Sequence, residues 1–159
     1  MATNSSFIRV NQYTNAYIAN EGFLEGLAAR ITRYRRLIYA DSICIFADVH
    51  VKHGSHAIVA DRPIEELAKD SDFFGADVLI ATGSRTADSA EIEEVNTIKL
   101  STNLPVLIGS GITKDNVNNY YHTCDGFIIA SSLKYDGLWN NSVDIKRVNA
   151  FTKTLNSLK

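Results

Sequence analysis

Three polar side chains alternate along the segment DVHVKH, which ends an apolar, strand-like stretch. Asp48, His50 and Lys52 are spaced two residues apart, so they lie on one side of an extended chain. A carboxylate, an imidazole and an amine can together transfer protons. His50 would exchange protons near neutral pH, Asp48 would orient His50 or a substrate hydroxyl, and Lys52 would neutralise an anion or act as a nucleophile. The pattern predicts catalytic acid–base chemistry, and the structural alternative is a polar cluster that only fills the interior.

Two glycine- and serine-rich turns, in PVLIGSGIT and GFIIASSLK, follow later apolar segments. Backbone N–H groups at such turns can approach an anion closely, and serine hydroxyls add donors. The first turn lacks the third glycine of a dinucleotide fingerprint and the GK[ST] ending of a P-loop. We expect a phosphate-binding site, with tight turns alone as the alternative, and its candidate residues are Gly109, Ser110, Gly111, Ser131 and Ser132.

Further candidate ligand residues lie on other segments. Arg9 and Asn11 share one face of the first apolar segment and are expected to face the same interior as Asp48, with which Arg9 can form an ion pair. Gly83 and Ser84 follow the third segment and could line the same opening.

A metal site is a weaker interpretation of the histidines in this region. A zinc site needs three or four ligands that converge on one point. His53 falls on the face opposite His50 if the strand continues, although Asp48 and His56 are nearby in sequence. We therefore expect no metal and no required cofactor.

The elements that must position these residues alternate between strands and helices. Short apolar runs typical of parallel strands are separated by stretches with helical periodicity. Pro63, Asp88 or Ser89, Thr113 and Ser142 mark expected helix starts. The pattern predicts five βα units with a parallel sheet, in an α/β fold. Strands are expected at residues 7–10, 43–49, 78–82, 105–110 and 126–131.

Two architectures fit five βα units: an open, doubly wound sheet and an incomplete (βα)₈ barrel. Arg9 and Asp48 lie on the strand faces opposite those that carry Ile8 and Ile45. A barrel places helices outside and a polar site inside, whereas helices cover both faces of a doubly wound sheet, where unpaired charges would cost several kcal/mol. The alternation favours the barrel.

Composition excludes some partners. The chain has 159 residues and a net charge of −2, so no overall basic field attracts nucleic acid, and no apolar run is long enough to span a membrane. Cys44 and Cys124 have no metal-binding spacing and are expected to be buried thiols in a cytoplasmic protein. An arginine-rich helical stretch, residues 30–36, is either a solvated face or a docking surface.

The segment FADVHVKHGS, taken with FIRVN, EGFLEGLAARITRYRR, the two glycine–serine turns and NNSVDIKRVNAF, closely resembles the BtpA/SgcQ family. The resemblance covers Phe7 to Phe151 and implies a single partial TIM-barrel domain over residues 1–159, with barrel strands four to eight. The first three βα units of the family have no counterpart here. Unpaired strand edges would then favour self-association or pairing with a missing barrel segment.

The resemblance implies little about substrate or reaction. The family name comes from a role in photosystem I biogenesis, and other members carry enzyme-like labels. Our first interpretation is a protein that binds a small phosphorylated metabolite, with acid–base chemistry as an option. The alternatives are a non-enzymatic assembly or stability factor and an inactive partial barrel, so whether the chain is an enzyme stays open.

Overall fold

The structure, a computed structural model, describes residues 3–83 and 90–159. A five-stranded sheet runs through it, and all the neighbouring strands are parallel. The strand order in space, β1-β4-β6-β7-β8, is the same as the order along the chain. A doubly wound sheet reverses its order at a switch point, so this order identifies a singly wound barrel sheet. The strands are β1 (Phe7–Val10), β4 (Cys44–Asp48), β6 (Val78–Ala81), β7 (Val106–Ile108) and β8 (Gly126–Phe127).

One contact shows that this sheet is strongly curved. Arg9 lies on β1 and Gly109 directly follows β7, and three strand spacings would separate these strands by about 14 Å in a flat sheet. A Cβ atom built on Gly109 would nevertheless lie 3.1 Å from Nη2 of Arg9. Because an arginine side chain is shorter than the flat separation, both residues must face the concave side. The predicted partial (βα)₈ barrel is therefore confirmed.

The helices cover the convex side of the sheet, where the main apolar core lies. Val95 and Ile98 of the third helix join Leu79 and Val106 of neighbouring strands in one fully buried cluster. Among the described residues no helix is both long and apolar enough to cross a membrane. The helices are α1 (Ala28–Leu37), α2 (Ile64–Phe73), α3 (Ile92–Ser101), α4 (Val117–Tyr120) and α5 (Ile145–Asn156).

The expected helix starts agree with the structure to within a few residues. Pro63 occupies the N-cap position of α2. α5 was expected to start at Ser142, but the cap is Asp144, which accepts a hydrogen bond from the backbone N–H of Lys146. Thr113 lies further from α4 than expected, and its hydroxyl oxygen accepts from the backbone N–H groups of Asp115 and Asn116 instead. Asp88 and Ser89, expected near the start of α3, lie outside the described residues.

A small antiparallel sheet was missed by the sequence pattern. Strands β2 (Ala16–Ala19), β3 (Gly22–Glu25) and β5 (Gly54–Ser55) pair in the order β3-β2-β5. Leu24 lies on β3, although its spacing to later apolar residues also fits a helix. Gly22, at φ 109°, supplies the turn that separates the two strands. The sheet joins the loop after β1 to the loop after β4.

The expected burial of both thiols is wrong for one of them. Cys124 is buried, but Cys44 is exposed, and both thiols are free. Cys44 is the first residue of β4 and pairs in register with Phe7, which is also exposed. This end of the concave face is open to solvent, so an apolar run did not guarantee burial there.

Candidate ligand-binding site

A cavity of about 810 Å³ opens beside the turns that follow β7 and β8. Its lining includes Gly109, Ser110 and Gly111 of the first turn and Ser131 and Ser132 of the second. Basic side chains outnumber acidic ones on its lining, since Asp115 accompanies Arg9, Lys52, Lys114, Lys146 and Arg147. We call this the first cavity. Its charge favours an anionic occupant.

Arg9 and Asp48 form the predicted ion pair across β1 and β4. Nε of Arg9 donates to Oδ1 of Asp48 at 2.8 Å, and Nη2 donates to Oδ2 at 2.9 Å. The Asp48 side chain is 3% exposed and the Arg9 side chain 31% exposed. Burial raises the pKa of Asp48, while the hydrogen bond and the charge of Arg9 oppose that rise. Both carboxylate oxygens are therefore used to hold the guanidinium beside the first cavity.

Two further hydrogen bonds tie the turns of the first cavity together. Nζ of Lys52 donates to Oγ of Ser110 at 3.0 Å, which joins the loop after β4 to the turn after β7. The hydroxyl of Ser132 donates to the carbonyl oxygen of Ile112 at 2.8 Å, which joins the turns after β7 and β8. The Ser132 hydroxyl thus donates its hydrogen within the protein, and this bond links the two turns.

A second cavity, of about 420 Å³, lies between the loops that follow β4 and β6. Lys52 lines both cavities, so they share a wall. Thr82 donates a hydrogen bond at 3.0 Å to the carbonyl oxygen of His50, which fixes the loop that carries the imidazole. The lining is mostly polar and includes His50, Lys52, His53, His56, Thr82, Gly83, Glu91 and Glu94.

Aromatic rings hold His50 in place. The ring of His56 packs against His50, with centroids 4.0 Å apart, and stacks on Tyr17 at 5.2 Å. Nε2 of His56 donates to the carbonyl oxygen of Val51 at 2.7 Å. Burial, and to a lesser extent the neighbouring His56, lowers the pKa of His50. The neutral imidazole is favoured, so His50 can accept a proton near neutral pH.

The structure brings most of the predicted residues to one edge of the sheet. His50 and Gly83 border the second cavity, Lys52 borders both, and Asp48 is engaged by Arg9 rather than by His50. Asn11 is exposed, outside the lining of both cavities, and Ser84 lies outside the described residues. The chain bends after Asp48, so the expected run of three side chains on one extended face does not form. Each catalytic or binding role stays a prediction.

Several residues at the two cavities were not predicted. Lys146 and Arg147 of α5 line the first cavity. Glu91 and Glu94, at the start of α3, line the second. Their periodicity marked them as helical, but the direction in which each helix presents them depends on its packing. No local sequence signal distinguishes them from solvated helix residues.

The fold and the cavities define a class: a partial (βα)₈ barrel with a ligand-sized opening at the carboxyl ends of its strands. Comparison with known proteins gives the family. The chain belongs to the BtpA family, whose sequence profile matches residues 1–157.

Relatives in this family are longer than the chain. An uncharacterised mitochondrial protein of Caenorhabditis elegans is 39% identical over 99% of this chain and 56% of its own length. The photosystem I biogenesis protein BtpA of Synechocystis is 35% identical over 95% of this chain and 52% of its own length. The chain therefore spans a little over half the length of these relatives.

Solved structures agree with the architecture. A Schiff-base-forming fructose-1,6-bisphosphate aldolase aligns over 99% of this chain and 58% of its own, with a TM-score of 0.56 and 13% identity. KGPDC from Streptococcus mutans aligns over 83% of this chain and 55% of its own, also with a TM-score of 0.56 and 13% identity. At this identity the likeness supports the fold.

Proposed function

We propose that this chain binds a small phosphorylated metabolite and holds its phosphate group in the first cavity. The observation that carries the proposal is that five basic side chains and two glycine- and serine-rich turns line the same cavity. Loops after the last two strands are where many (βα)₈ barrels hold phosphate. The aldolase that shares the fold is named for a phosphorylated sugar, which is consistent with this ligand class.

The turn after β7 suits an anion for two physical reasons. Gly111 has a φ of 71°, a conformation that side chains disfavour, and as glycine it lets a ligand approach the backbone closely. Lysine has donors but no acceptor, so Ser110 is the acceptor in its bond with Lys52. The hydroxyl hydrogen of Ser110 can then be donated to a phosphate oxygen, while the ammonium contributes charge.

The catalytic part of the proposal assigns proton transfer to His50. A base must be neutral at the working pH and within reach of the proton that it removes. The lowered pKa of His50 favours the neutral ring, as a base requires. His50 lines the second cavity, so a ligand that extends past Lys52 would bring its proton within reach of the imidazole. Asp48 acts through Arg9 in this scheme and positions the guanidinium.

Calorimetric titration with inorganic phosphate and with ribose 5-phosphate, at constant ionic strength, tests the binding. Lys146→Gln should weaken both ligands about threefold to tenfold, since it removes one charged contact. The matched control is Lys153→Gln, which changes another exposed lysine of α5 outside the lining of the first cavity. Absence of binding to the unmodified chain, or equal effects of the two variants, would refute the proposal.

A second candidate is a non-enzymatic assembly factor. It is supported by the name of the Synechocystis relative, a photosystem I biogenesis protein, and by two exposed arginines of α1, Arg30 and Arg33. Other arginines of this helix are paired: Arg35 with Asp77 at 2.9 Å and Arg36 with Asp41 at 2.9 Å.

Light scattering with and without phosphate separates the two functions. A docking factor should keep its assembly state when Lys146 is replaced and change it when Arg30 and Arg33 are both replaced by glutamine. If the chain binds a metabolite, replacing Lys146 should weaken phosphate binding, whereas replacing Arg30 and Arg33 should leave the phosphate affinity unchanged.

A further inference from the structure

Glu94 is placed unusually for a carboxylate. It lines the second cavity from the first turn of α3, and its Oε1 atom is buried with no hydrogen-bond partner among the described residues. A buried polar atom without a partner costs about 1–3 kcal/mol, so proteins rarely retain one without a use. Burial, with a smaller contribution from Glu91, raises the pKa of Glu94. Oε1 of this carboxyl group lacks a hydrogen-bond donor among the described residues.

The two cavities differ in charge. The first has an excess of basic side chains, whereas the second combines Lys52 with the carboxyl groups of Glu91 and Glu94 and with three imidazoles, those of His50, His53 and His56. A second phosphate group would meet Glu91 and Glu94 there and would be repelled. Hydroxyl groups would meet acceptors and donors in close proximity. Lys52 lines both cavities, so the uncharged end of a ligand bound in the first would lie beside the second.

We propose that the second cavity binds the hydroxylated, uncharged end of a phosphate monoester, and that Glu94 accepts a hydrogen bond from one of its hydroxyl groups. The inference rests on the proposed function and names its substrate class: a polyhydroxylated monophosphate, such as a sugar phosphate, rather than a bisphosphate. Glu94 is a binding and specificity residue in this scheme.

The test compares ribose 5-phosphate with n-pentyl phosphate, which has the same number of carbons and no hydroxyl groups, and with inorganic phosphate. Titration calorimetry at pH 7 should show that the unmodified chain prefers ribose 5-phosphate over pentyl phosphate. Glu94→Leu should weaken ribose 5-phosphate about tenfold, the usual effect of losing a hydrogen bond to a charged group. It should leave inorganic phosphate within twofold.

Glu93→Leu is the matched control, because Glu93 is the adjacent glutamate of α3 and is exposed. Its affinities should equal those of the unmodified chain. Glu94→Gln keeps the shape of the side chain and should give an intermediate loss, which protects the test from a folding defect in the leucine variant. Circular dichroism confirms that each variant is folded.

The outcomes separate the two proposals. If the unmodified chain binds neither phosphate nor ribose 5-phosphate, the proposed function fails. If it binds both and the Glu94 variants match the Glu93 control, phosphate binding stands and the role of Glu94 is refuted. Tighter binding of fructose 1,6-bisphosphate than of ribose 5-phosphate would also overturn the assignment of the second cavity to an uncharged end.

Discussion

Replacing Arg9 by methionine should cost the folded state about 3 kcal/mol at pH 7. The variant leaves Asp48, whose side chain is 3% exposed, without the guanidinium that engages both of its oxygens. Loss of one partner from a buried ion pair costs about 3–5 kcal/mol. We expect the lower end of this range because the Arg9 side chain is 31% exposed and the charge of Lys52 also favours the Asp48 carboxylate.

Urea unfolding followed by circular dichroism measures this loss. The control is Arg36→Met, which breaks the pair with Asp41, in which the two side chains are 77% and 53% exposed. Exposed ion pairs contribute about 1 kcal/mol or less, so the control should change the free energy of unfolding little. A loss in the Arg9 variant no greater than in the control would refute the idea that this pair organises the concave side.

The same variant has a pH signature. Without Arg9, only the charge of Lys52 opposes the effect of burial, so the pKa of Asp48 rises further above the usual value. The charged carboxyl destabilises the fold at pH values above that raised pKa, and protonation relieves the cost as the pH falls through it. The stability difference between the unmodified chain and Arg9→Met should therefore be smaller at pH 5 than at pH 7. A difference that grows on acidification would contradict this cause.

Two predictions concern other residues of the site. Gly109→Ala should lower the free energy of unfolding by about 1–3 kcal/mol, because the new Cβ would lie 2.6 Å from Cγ2 of Ile80. Unchanged urea unfolding would show that the strand end has more room than the geometry gives it. His50 should titrate by NMR below 6.5, its ordinary value, and His56→Phe should shift its pKa upward by removing the second imidazole. Because folding disfavours the protonated ring, His50 should contribute stability that is lost as the pH falls below about 6.5, and a normal pKa for His50 would contradict its burial.

The parallel sheet was predictable because its strands are short apolar runs in which polar residues occur at alternate positions. Arg9 and Asp48 interrupt those runs on the same face, and this indicated both the barrel and their ion pair. The antiparallel sheet was not predictable from periodicity, since Leu24 fits the helical spacing of α1 equally well. In the structure β3 ends at Glu25, before α1 begins at Ala28, and a backbone hydrogen bond from Gly26 to Asn15, at 2.6 Å, lies between the two elements.

The candidate site was predictable where it depends on strand ends. Glycines and serines that directly follow a strand must lie at the carboxyl edge of a parallel sheet, which placed Gly109 and Ser110 correctly. Lys146 and Glu94 depend on how α5 and α3 are rotated against the sheet, and that rotation is a property of packing. Alternation along an extended chain would place Asp48 and His50 on one face, but the chain bends after β4 and the two residues have different neighbours.

Phosphate binding at the two turns is the central claim, and amide NMR spectra recorded during a titration with inorganic phosphate test it most directly. The account predicts that the backbone amides of residues 109–113 and 131–133 shift the most, and that these shifts saturate together at a single affinity. Shifts that never saturate, or that concentrate on the exposed arginines of α1 instead of these turns, would contradict it.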